Sequence, residues 1–381
     1  MRTVDIDDFA VGTGHQPRVM GVLNMSVESN WEPNVASASA DAATLAQETL
    51  IDNGADIVDI GLQSANPKND WQPVAVELDR LAKALEVIDR IGHDAAAFSI
   101  ETRYSEVADR ALAGGFDLVN DVCGFADPEL PAVCQEHDAP VVKMASPPSI
   151  KQPGHLKTID DVFEALERGG FTEKTILDPA FGGWYDGRTY EDNWEMFRRL
   201  REFRAFGRPL LTATNREDFL GTLAGKLENE KQLFVSLAAA TLEVDRGVDI
   251  IRTHDVPETV DVVAVAHELR SERIEADDPR IVELQQLSRR ELERFESRAG
   301  VEDGTISGAA QYCFQLEELT DETRKELRQS VSETDATVLS LGESDVLVGD
   351  HDALRAAVES LESATHVPKS LVGTVRRALI R

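Results

Sequence analysis

Short apolar segments alternate with amphipathic segments along the first 270 residues of the chain. The apolar segments are rich in Val, Ile and Leu and show little polar alternation, as strands do when both faces are buried. They predict strands near residues 19–25, 57–62, 96–101, 118–122, 140–145, 175–178, 209–214 and 249–253. The amphipathic segments predict helices near residues 41–53, 74–91, 105–114, 128–137, 158–169, 190–203, 230–247 and 256–271. Eight strand-then-helix units favour an α/β fold of the (β/α)8 TIM-barrel type, because a doubly wound sheet rarely needs so many.

The pattern changes in the last hundred residues. Residues 276–300 are charged and predict a helical segment, and another helix is predicted near 308–330. Two short strands and two further helices are predicted at 337–341, 345–349, 351–363 and 369–380. The sequence therefore predicts two domains, a barrel at residues 1–273 and a small α+β appendage at 274–381. The appendage contains no catalytic constellation, so a packing or subunit-contact role is the expectation for it.

The net charge and the length of the apolar runs limit the kinds of partner that the chain can bind. The 381 residues carry 39 Lys and Arg against 70 Asp and Glu, a formal net charge of −31. The acids are spread along the chain, which favours a hydrated surface suited to a high-salt, halophilic cytoplasm. Such a charge excludes a nucleic-acid partner, which requires a basic face. No apolar run is long enough to cross a bilayer, and the N-terminus lacks a signal-peptide core, so no membrane partner and a cytoplasmic location are expected.

Polar side chains follow the predicted strands at the points where the strands end. In a (β/α)8 barrel these carboxyl ends form one mouth, which carries the active site. Buried carboxylates and amides there need polar partners, and a heterocycle that presents N–H donors, such as a 2-amino-4-oxo pterin, would satisfy them. The first and last strands are neighbours, so Asn24, Arg252 and His254 would suit an anion, with a metal on Asn24. Asp121 and Asp255 are expected to cap the helices that follow them.

Five sequence motifs carry a family resemblance. They are VMGVLNMS at 19–26, GADIVDIG at 54–61, VNDV at 119–122, ILDPAFG at 176–182 and IRTHDVPETV at 251–260. In order and spacing they resemble dihydropteroate synthase, over roughly residues 15–272. Together they are specific for the pterin-binding barrels and less specific for the synthase, because pterin-dependent methyltransferases share the fold.

The resemblance implies a condensation of 6-hydroxymethyl-7,8-dihydropterin diphosphate with p-aminobenzoate or a related arylamine, with release of diphosphate and assistance from Mg²⁺. By motif match, Arg252 and His254 would be catalytic and bind the diphosphate, while Asn24 would lie at the metal. The pterin would contact Glu101, Asn120 and Asp178, with Met144 facing it. Family barrels pair through their outer helices, so a homodimer is also implied.

The chain departs from the family pattern mainly around the second substrate. Glu101 stands where the family has Asp. The loop Gln63–Pro67 lacks the family arginine, and Glu217 occupies the position of the pterin-contacting lysine. Residues expected at these second-substrate loops are Ser64, Asn66, Pro67, Glu217 and Asp218. Two cations are lost, and neither neighbouring lysine replaces them, since alternation turns Lys143 away from the interior and Lys226 is expected at the surface.

Three functions therefore remain open. The first is a dihydropteroate synthase with a remodelled arylamine site, which the shared framework over five strand ends favours. The second is a pterin-dependent methyl or one-carbon transferase on the same barrel, and the residues after the first strand favour the synthase over it. The third is a non-catalytic pterin-binding paralogue, which the two lost cations favour.

Overall fold

The computed structural model describes residues 3–12, 14–26, 34–65, 69–270, 275–277, 280–284, 287, 289–301 and 312–380. The chain divides into two compact units. One contains the chain up to Arg201 together with Arg208–Arg270, and the other contains Glu202–Gly207 and the chain that follows Arg270. None of the described helices is both long and apolar enough to cross a membrane. The domain boundary at 273/274 and the cytoplasmic location stay predictions.

The first unit is an eight-stranded parallel barrel preceded by a short hairpin. The hairpin strands are β1 (Val4–Ile6) and β2 (Phe9–Val11). The barrel strands are β3 (Arg18–Asn24), β4 (Ile57–Gly61), β5 (Ala97–Thr102), β6 (Leu118–Asp121), β7 (Val141–Met144), β8 (Thr175–Asp178), β9 (Leu211–Thr212) and β10 (Ile250–Thr253). Their order is β8-β7-β6-β5-β4-β3-β10-β9, and a parallel bridge between Leu177 and Leu210 joins the two ends. The predicted barrel is confirmed.

Helices follow the barrel strands along the chain. They are α1 (Ser39–Leu45), α2 (Val74–Ile91), α3 (Ser105–Ala113), α4 (Leu130–Glu136), α5 (Ile159–Glu167), α6 (Tyr190–Arg198), α7 (Asp218–Leu223), α8 (Leu233–Asp245) and α9 (Val256–Glu268). The short helix α7 was not predicted. Helices α5 and α6 begin with capping boxes, in which Thr158 pairs with Asp161 and Thr189 pairs with Asp192. These boxes satisfy the first free N–H groups of each helix and fix where the preceding loops end.

The N-terminal hairpin closes one end of the barrel. Val4, Ile6 and Val11 are buried in a cluster with inward-facing side chains of the barrel strands. The barrel members of this cluster, such as Ile57 and Ile250, lie at the start of their strands. The sequence did not predict this hairpin. Its apolar side chains fill the amino end of the barrel, so the polar groups of the site lie at the carboxyl end.

The second unit contains a five-stranded antiparallel sheet with helices. Its strands are β11 (Glu275–Asp277), β12 (Arg280–Glu283), β13 (Tyr312–Leu316), β14 (Thr337–Leu341) and β15 (Ser344–Gly349), in the order β11-β12-β13-β15-β14. Its helices are α10 (Arg289–Ala299), α11 (Asp321–Val331), α12 (His351–Leu361) and α13 (Lys369–Ile380). The α+β appendage is therefore confirmed, and so are its last two strands and last two helices.

Two helix predictions in this unit were wrong in their first parts and confirmed in their last, where α10 and α11 lie. Part of the segment 276–300 forms β11 and β12, and the segment predicted as a helix near 308–330 contains the strand Tyr312–Leu316. Local charge suggested a helix, but pairing across the sheet decides the structure, because Ile281 pairs with Leu316 and both side chains are fully buried. The first residues of that second prediction, up to 311, lie outside the described residues.

The segment Glu202–Gly207 belongs to this unit through charged contacts with α10. Arg204 and Glu291 form an ion pair in which both side chains are buried. Arg294 Nε lies 3.2 Å from Glu202 Oε2. A buried ion pair is costly to break, because removal of one partner leaves the other charge unpaired away from water.

Candidate active site

The carboxyl ends of β4, β5 and β6 bring Asp59 together with two predicted site residues, Glu101 and Asn120. These strands are consecutive neighbours, with Gly61 beside Glu101 and Glu101 beside Asn120 in the parallel register. Asp59, two residues before Gly61, shares an inward face with it because side chains alternate along a strand. The sheet itself therefore sets the spacing of this polar cluster.

Asp59 lies at the centre of the cluster. Its side chain is fully buried and accepts hydrogen bonds from Ser99 Oγ at 2.6 Å, Asn120 Nδ2 at 3.0 Å and Arg252 Nε at 2.7 Å. Asp59 belongs to the motif GADIVDIG but was not among the predicted site residues. The available signal was a single charged residue in the otherwise apolar strand Ile57–Gly61, since buried carboxylates need partners.

Arg252 crosses the mouth from β10 to reach a second carboxylate. Its Nη2 lies 2.6 Å from Glu101 Oε2, so the guanidinium bridges Glu101 and Asp59. Burial raises the pKa of Glu101 to about 7; the charge of Arg252 opposes this shift, and that of Asp59 adds to it. Burial also opposes the charge on Arg252, but Asp59 and Glu101 outweigh it and raise the pKa of the guanidinium.

Asp178 and Met144 lie side by side at the ends of β8 and β7. Both are buried, and Asp178 Oδ1 accepts a hydrogen bond from the backbone N–H of Ala180 at 2.8 Å. Burial raises the pKa of Asp178 to about 6, against the opposing effects of that hydrogen bond and of Arg252. The predicted pterin contacts thus occupy four neighbouring strands of one mouth.

His254 directly follows β10 and is a neutral imidazole near pH 7. Burial and the nearby charge of Arg252 lower its pKa to about 3. Its backbone N–H donates to Asn215 Oδ1 at 3.1 Å. Of the two predicted anion-binding residues, Arg252 therefore supplies the positive charge, while a neutral imidazole can offer one N–H donor.

Asn24 ends β3 beside Gly61 of the next strand. A Cβ atom placed on Gly61 would lie 3.3 Å from Asn24 Oδ1 and 4.0 Å from Glu101 Oε1, so both oxygens border this glycine. The Asn24 amide makes no hydrogen bond with the residues that the structure describes. Amide and carboxylate oxygens are hard ligands of the kind Mg²⁺ prefers, and Mg²⁺ is usually held by few protein groups plus substrate phosphates. The residues at Asn24 fit a Mg²⁺ ion, although no cluster of three His, Cys, Asp or Glu occurs in the described chain.

The residues predicted to contact the second substrate differ in burial, and two of them lie outside the described part of the chain. Ser64 is half-buried in the loop after β4 and its Oγ accepts a hydrogen bond from Asn69 Nδ2 at 2.7 Å. Asn66 and Pro67 lie outside the described residues. Asp218 is exposed at the start of α7, where its Oδ1 accepts a hydrogen bond from Gln232 Nε2 at 3.2 Å.

Glu217 lies against Gly182 in the loop that follows Asp178. A Cβ atom placed on Gly182, whose φ is +107°, would come within 2.7 Å of the Glu217 carboxyl group. Burial raises the pKa of Glu217 to about 8; the charge of Asp218 adds to the shift and that of Arg188 opposes it. The residue that replaces the family lysine is therefore largely protonated at neutral pH.

Arg216 and Asp255 connect the loops after β9 and β10. Arg216 Nε and Nη2 each lie 2.8 Å from an oxygen of Asp255, a two-point contact that fixes their relative orientation. Asp255 occupies the position before α9 but makes no side-chain cap, so its predicted capping role is wrong. The cap predicted for Asp121 is also wrong, since it accepts hydrogen bonds from Cys123 and Phe125 in its own loop.

The two lysines set aside by the sequence behave as predicted. Lys143 Nζ points away from the barrel and donates to the carbonyls of Leu166, Arg168 and Gly170 at the end of α5. Lys226 is exposed. A buried cation that the sequence did not single out is Arg188, which donates to Leu156 O at 2.8 Å and lies near Asp178 and Glu217.

Known proteins match the barrel region of the chain. The model of the pterin binding enzyme family matches residues 20–254. A probable bifunctional folylpolyglutamate synthase/dihydropteroate synthase from Halobacterium salinarum is 37% identical over 68% of this chain, which spans only about a third (32%) of that relative. Dihydropteroate synthase from Neisseria meningitidis is 31% identical over 68% of this chain and 94% of its own length.

Solved structures agree with these relatives. A dihydropteroate synthase from Coxiella burnetii, in complex with pteroic acid, is 29% identical with a TM-score of 0.59, covering 71% of this chain and 99% of its own. The synthase from Thermus thermophilus in complex with 6HMPPP is 30% identical with a TM-score of 0.55, covering 70% and 100%. The family model, from Met20 to His254, covers the strand ends described above. The chain belongs to the dihydropteroate synthase family of pterin-binding enzymes, a family of transferases.

Proposed function

We propose that this chain condenses 6-hydroxymethyl-7,8-dihydropterin diphosphate with p-aminobenzoate or a related arylamine and releases diphosphate. The observation that carries the proposal is the bridge from Arg252 to Asp59 and Glu101 at the barrel mouth. It places one cation among carboxylates that can accept N–H bonds, as a substrate with a donor-rich ring and an anionic leaving group requires.

The pterin would occupy the polar cluster. Glu101 and Asp178 can accept N–H bonds from the ring, and Asn120 can donate and accept. Met144, buried beside Asp178, would provide an apolar contact for the face of the ring. Asp59 would act as a positioning residue, because it already holds Asn120 and Arg252 through hydrogen bonds.

In the reaction, the arylamine nitrogen attacks the pterin methylene carbon. The C–O bond to diphosphate breaks, the attacking amine releases one proton to solvent water and diphosphate leaves as the anion. Arg252 and the N–H of His254 would bind that anion where its charge develops, which lowers the barrier without acid–base chemistry. Asn24 would hold Mg²⁺, which supplies Lewis-acid stabilisation of the leaving group when bound.

Relatives support the same substrates. Structures of family members include one from Thermus thermophilus in complex with 4-aminobenzoate and one from Coxiella burnetii with pteroic acid. The four residues proposed to contact the pterin all lie at the barrel mouth, at the ends of β5, β6, β7 and β8. The arylamine half is altered at Glu217 and in the loop after β4, so the identity of the arylamine is the open part of the proposal.

The test is release of diphosphate by the purified full chain in molar KCl with Mg²⁺ and both substrates. We expect release that requires both substrates and falls by at least about tenfold in Arg252→Ala and in Asn24→Ala. The first variant removes a contact to the anion, and the second removes the proposed Mg²⁺ ligand. Lys226→Gln, an exposed cation away from the site, is the matched control. Unchanged turnover in Arg252→Ala would refute the proposal. Pterin binding without release would favour the non-catalytic alternative.

We also propose that two copies of the chain pair through α7 and α8. Leu223, Phe234 and Leu242 on these helices are exposed by 60%, 81% and 46%, and they border or adjoin an apolar groove of about 230 Å³. Apolar patches of this kind are typical of protein–protein contacts. Sedimentation analysis would show a dimer that Phe234→Asp converts to a monomer. A wild-type monomer at all concentrations would refute it.

A further inference from the structure

A second pocket lies beside the polar cluster, between the loops that follow β4, β5, β7 and β8. We call it the tryptophan pocket. It has a volume of about 310 Å³. Residues from these loops line it, among them Ser64, Trp71, Arg103, Lys151, His155 and Trp184. The volume is at the lower end of the range for small-molecule sites, which suffices for one ring or a short substituent.

The pocket contains a buried guanidinium with few partners. Arg103 directly follows β5, and the residue is only 4% exposed. Its Nη1 donates to Ile150 O at 2.9 Å, while its Nε has no hydrogen-bond partner. Arg103 forms no ion pair within the part of the chain that the structure describes. A buried guanidinium with five N–H groups and so few acceptors is costly unless an anion completes it.

A second cation borders the same space. Lys151 Nζ lies 4.4 Å from the centre of the Trp71 ring, a cation–π contact that holds the ammonium group at the pocket. His155 packs on Tyr185 with ring centroids 3.9 Å apart. One carboxylate, the exposed Asp186, also lines the pocket. Two cations at one pocket favour a negatively charged ligand group. The buried carboxyl groups of Glu77, Glu101 and Asp121 also interact with the charge of Arg103, but burial raises the pKa of each of them, which reduces the negative charge that they offer.

Hydrogen bonds and close packing hold the walls of the pocket in place. Trp184 Nε1 donates to Phe181 O at 2.7 Å, and a Cβ on Gly154 would lie 2.5 Å from the Trp184 ring. Gly154, with a φ of +60°, therefore packs directly against the indole. Ser146 Oγ accepts a hydrogen bond from Gly154 N at 2.9 Å and fixes this loop. The aromatic walls fit a flat ligand group.

We propose that the tryptophan pocket binds the anionic substituent of the arylamine substrate, with Arg103 as the principal anion contact and Lys151 as the second. The inference rests on the proposed function, which supplies the arylamine. Ser64, from the loop expected to contact the second substrate, lines the same pocket. Arg103 and Lys151 would thus supply the positive charge that the altered loop and Glu217 no longer provide.

The experiment compares p-aminobenzoate with p-aminobenzamide, its neutral analogue, in the full chain. We expect Arg103→Gln to raise the KM for p-aminobenzoate by about tenfold to hundredfold, as for loss of one charge-assisted hydrogen bond. Its KM and kcat for p-aminobenzamide should stay within about twofold. Arg103→Lys should restore part of the preference, and Lys151→Gln should reduce it by a smaller factor. Lys226→Gln is the control.

Three results would overturn the inference. The first is an equal rise in KM for both arylamines, which indicates only a structural role for Arg103. The second is an unchanged KM for p-aminobenzoate. The third is a change confined to inhibition by diphosphate, which assigns the pocket to the leaving group instead. If neither arylamine is turned over by the wild type, the proposed function fails. Calorimetric titration then tests the role of the pocket independently of turnover, by comparing the affinity for p-aminobenzoate of the wild type and of Arg103→Gln. Equal affinities would refute the proposal that Arg103 binds the anionic substituent.

Discussion

Arg252 on the last barrel strand and Glu101 on the third are joined by an ion pair of 2.6 Å across the mouth of the barrel. The resemblance places a shorter Asp at position 101 in the family, and the additional methylene of Glu101 extends the carboxylate toward the guanidinium. Glu101 therefore restrains the cation that is proposed to bind the leaving group, and Glu101 is itself proposed to contact the pterin. Its raised pKa, about 7, follows from burial that Arg252 only partly offsets.

Glu101→Gln should lower kcat/KM for the pterin diphosphate by about tenfold to a hundredfold. The amide keeps the size of the side chain but loses a charge-assisted contact of about 1.5–3 kcal/mol. Glu101→Asp, which restores the family residue, should retain activity within about tenfold. Steady-state kinetics and pterin binding measure both variants. Equal activity of Glu101→Gln and wild type would remove Glu101 from the pterin site.

Asp59→Asn should reduce the free energy of unfolding by about 3 kcal/mol, because it leaves the partly buried Arg252 without its fully buried partner. Ser99→Ala, which removes one neutral hydrogen bond to the same carboxylate, should cost only about 1 kcal/mol. Denaturant unfolding at constant KCl compares the two variants. Similar losses in both would mean that Asp59 acts through ordinary hydrogen bonding rather than through its charge.

Arg216→Lys should lower turnover while the protein remains folded. Lysine keeps the charge but cannot reproduce the two-point contact with Asp255, so the loop that positions Glu217 loses its anchor. Hydrogen exchange should accelerate in the loop between β9 and α7 and stay unchanged in α2. If turnover and exchange both match the wild type, the contact has no positioning role.

Glu217→Gln should stabilise the protein more at pH 9 than at pH 5. Burial raises the pKa of Glu217 from its ordinary 4.5 to about 8, so the folded protein binds a proton that the unfolded chain releases. This contribution to stability is fully present below pH 4.5 and is lost as the pH rises through 8. Glutamine mimics the protonated carboxyl at every pH. Thermal unfolding at both pH values gives the comparison, and a constant difference in Tm would contradict a raised pKa.

Several features followed from local pattern. Long apolar strands with regular helices between them identified the barrel, and helix α2 was predicted with the bounds Val74–Ile91 that the structure shows. Alternation along β7 correctly turned Lys143 away from the interior. The α7 helix was missed because it has only six residues, too few for a hydrophobic period to appear.

Other features depended on contacts between distant parts of the chain. Asp255 was expected to cap its own helix, but Arg216, 39 residues earlier, competes more strongly as a charged two-point donor. The strand Tyr312–Leu316 forms because its partners in the sheet bury it, against the charged character of its surroundings. Local propensity is a weak term when burial and pairing oppose it.

The sequence by itself determined the barrel, the mouth and the family, since these follow from periodicities and motifs within short segments. Only the tertiary structure decided that Asp59 holds Arg252, that Glu217 lies on Gly182 and that Arg103 lines a pocket of its own. Each of these contacts joins strands or loops far apart in sequence. Their geometry depends on how the closed sheet aligns its strand ends, and no local pattern records that alignment.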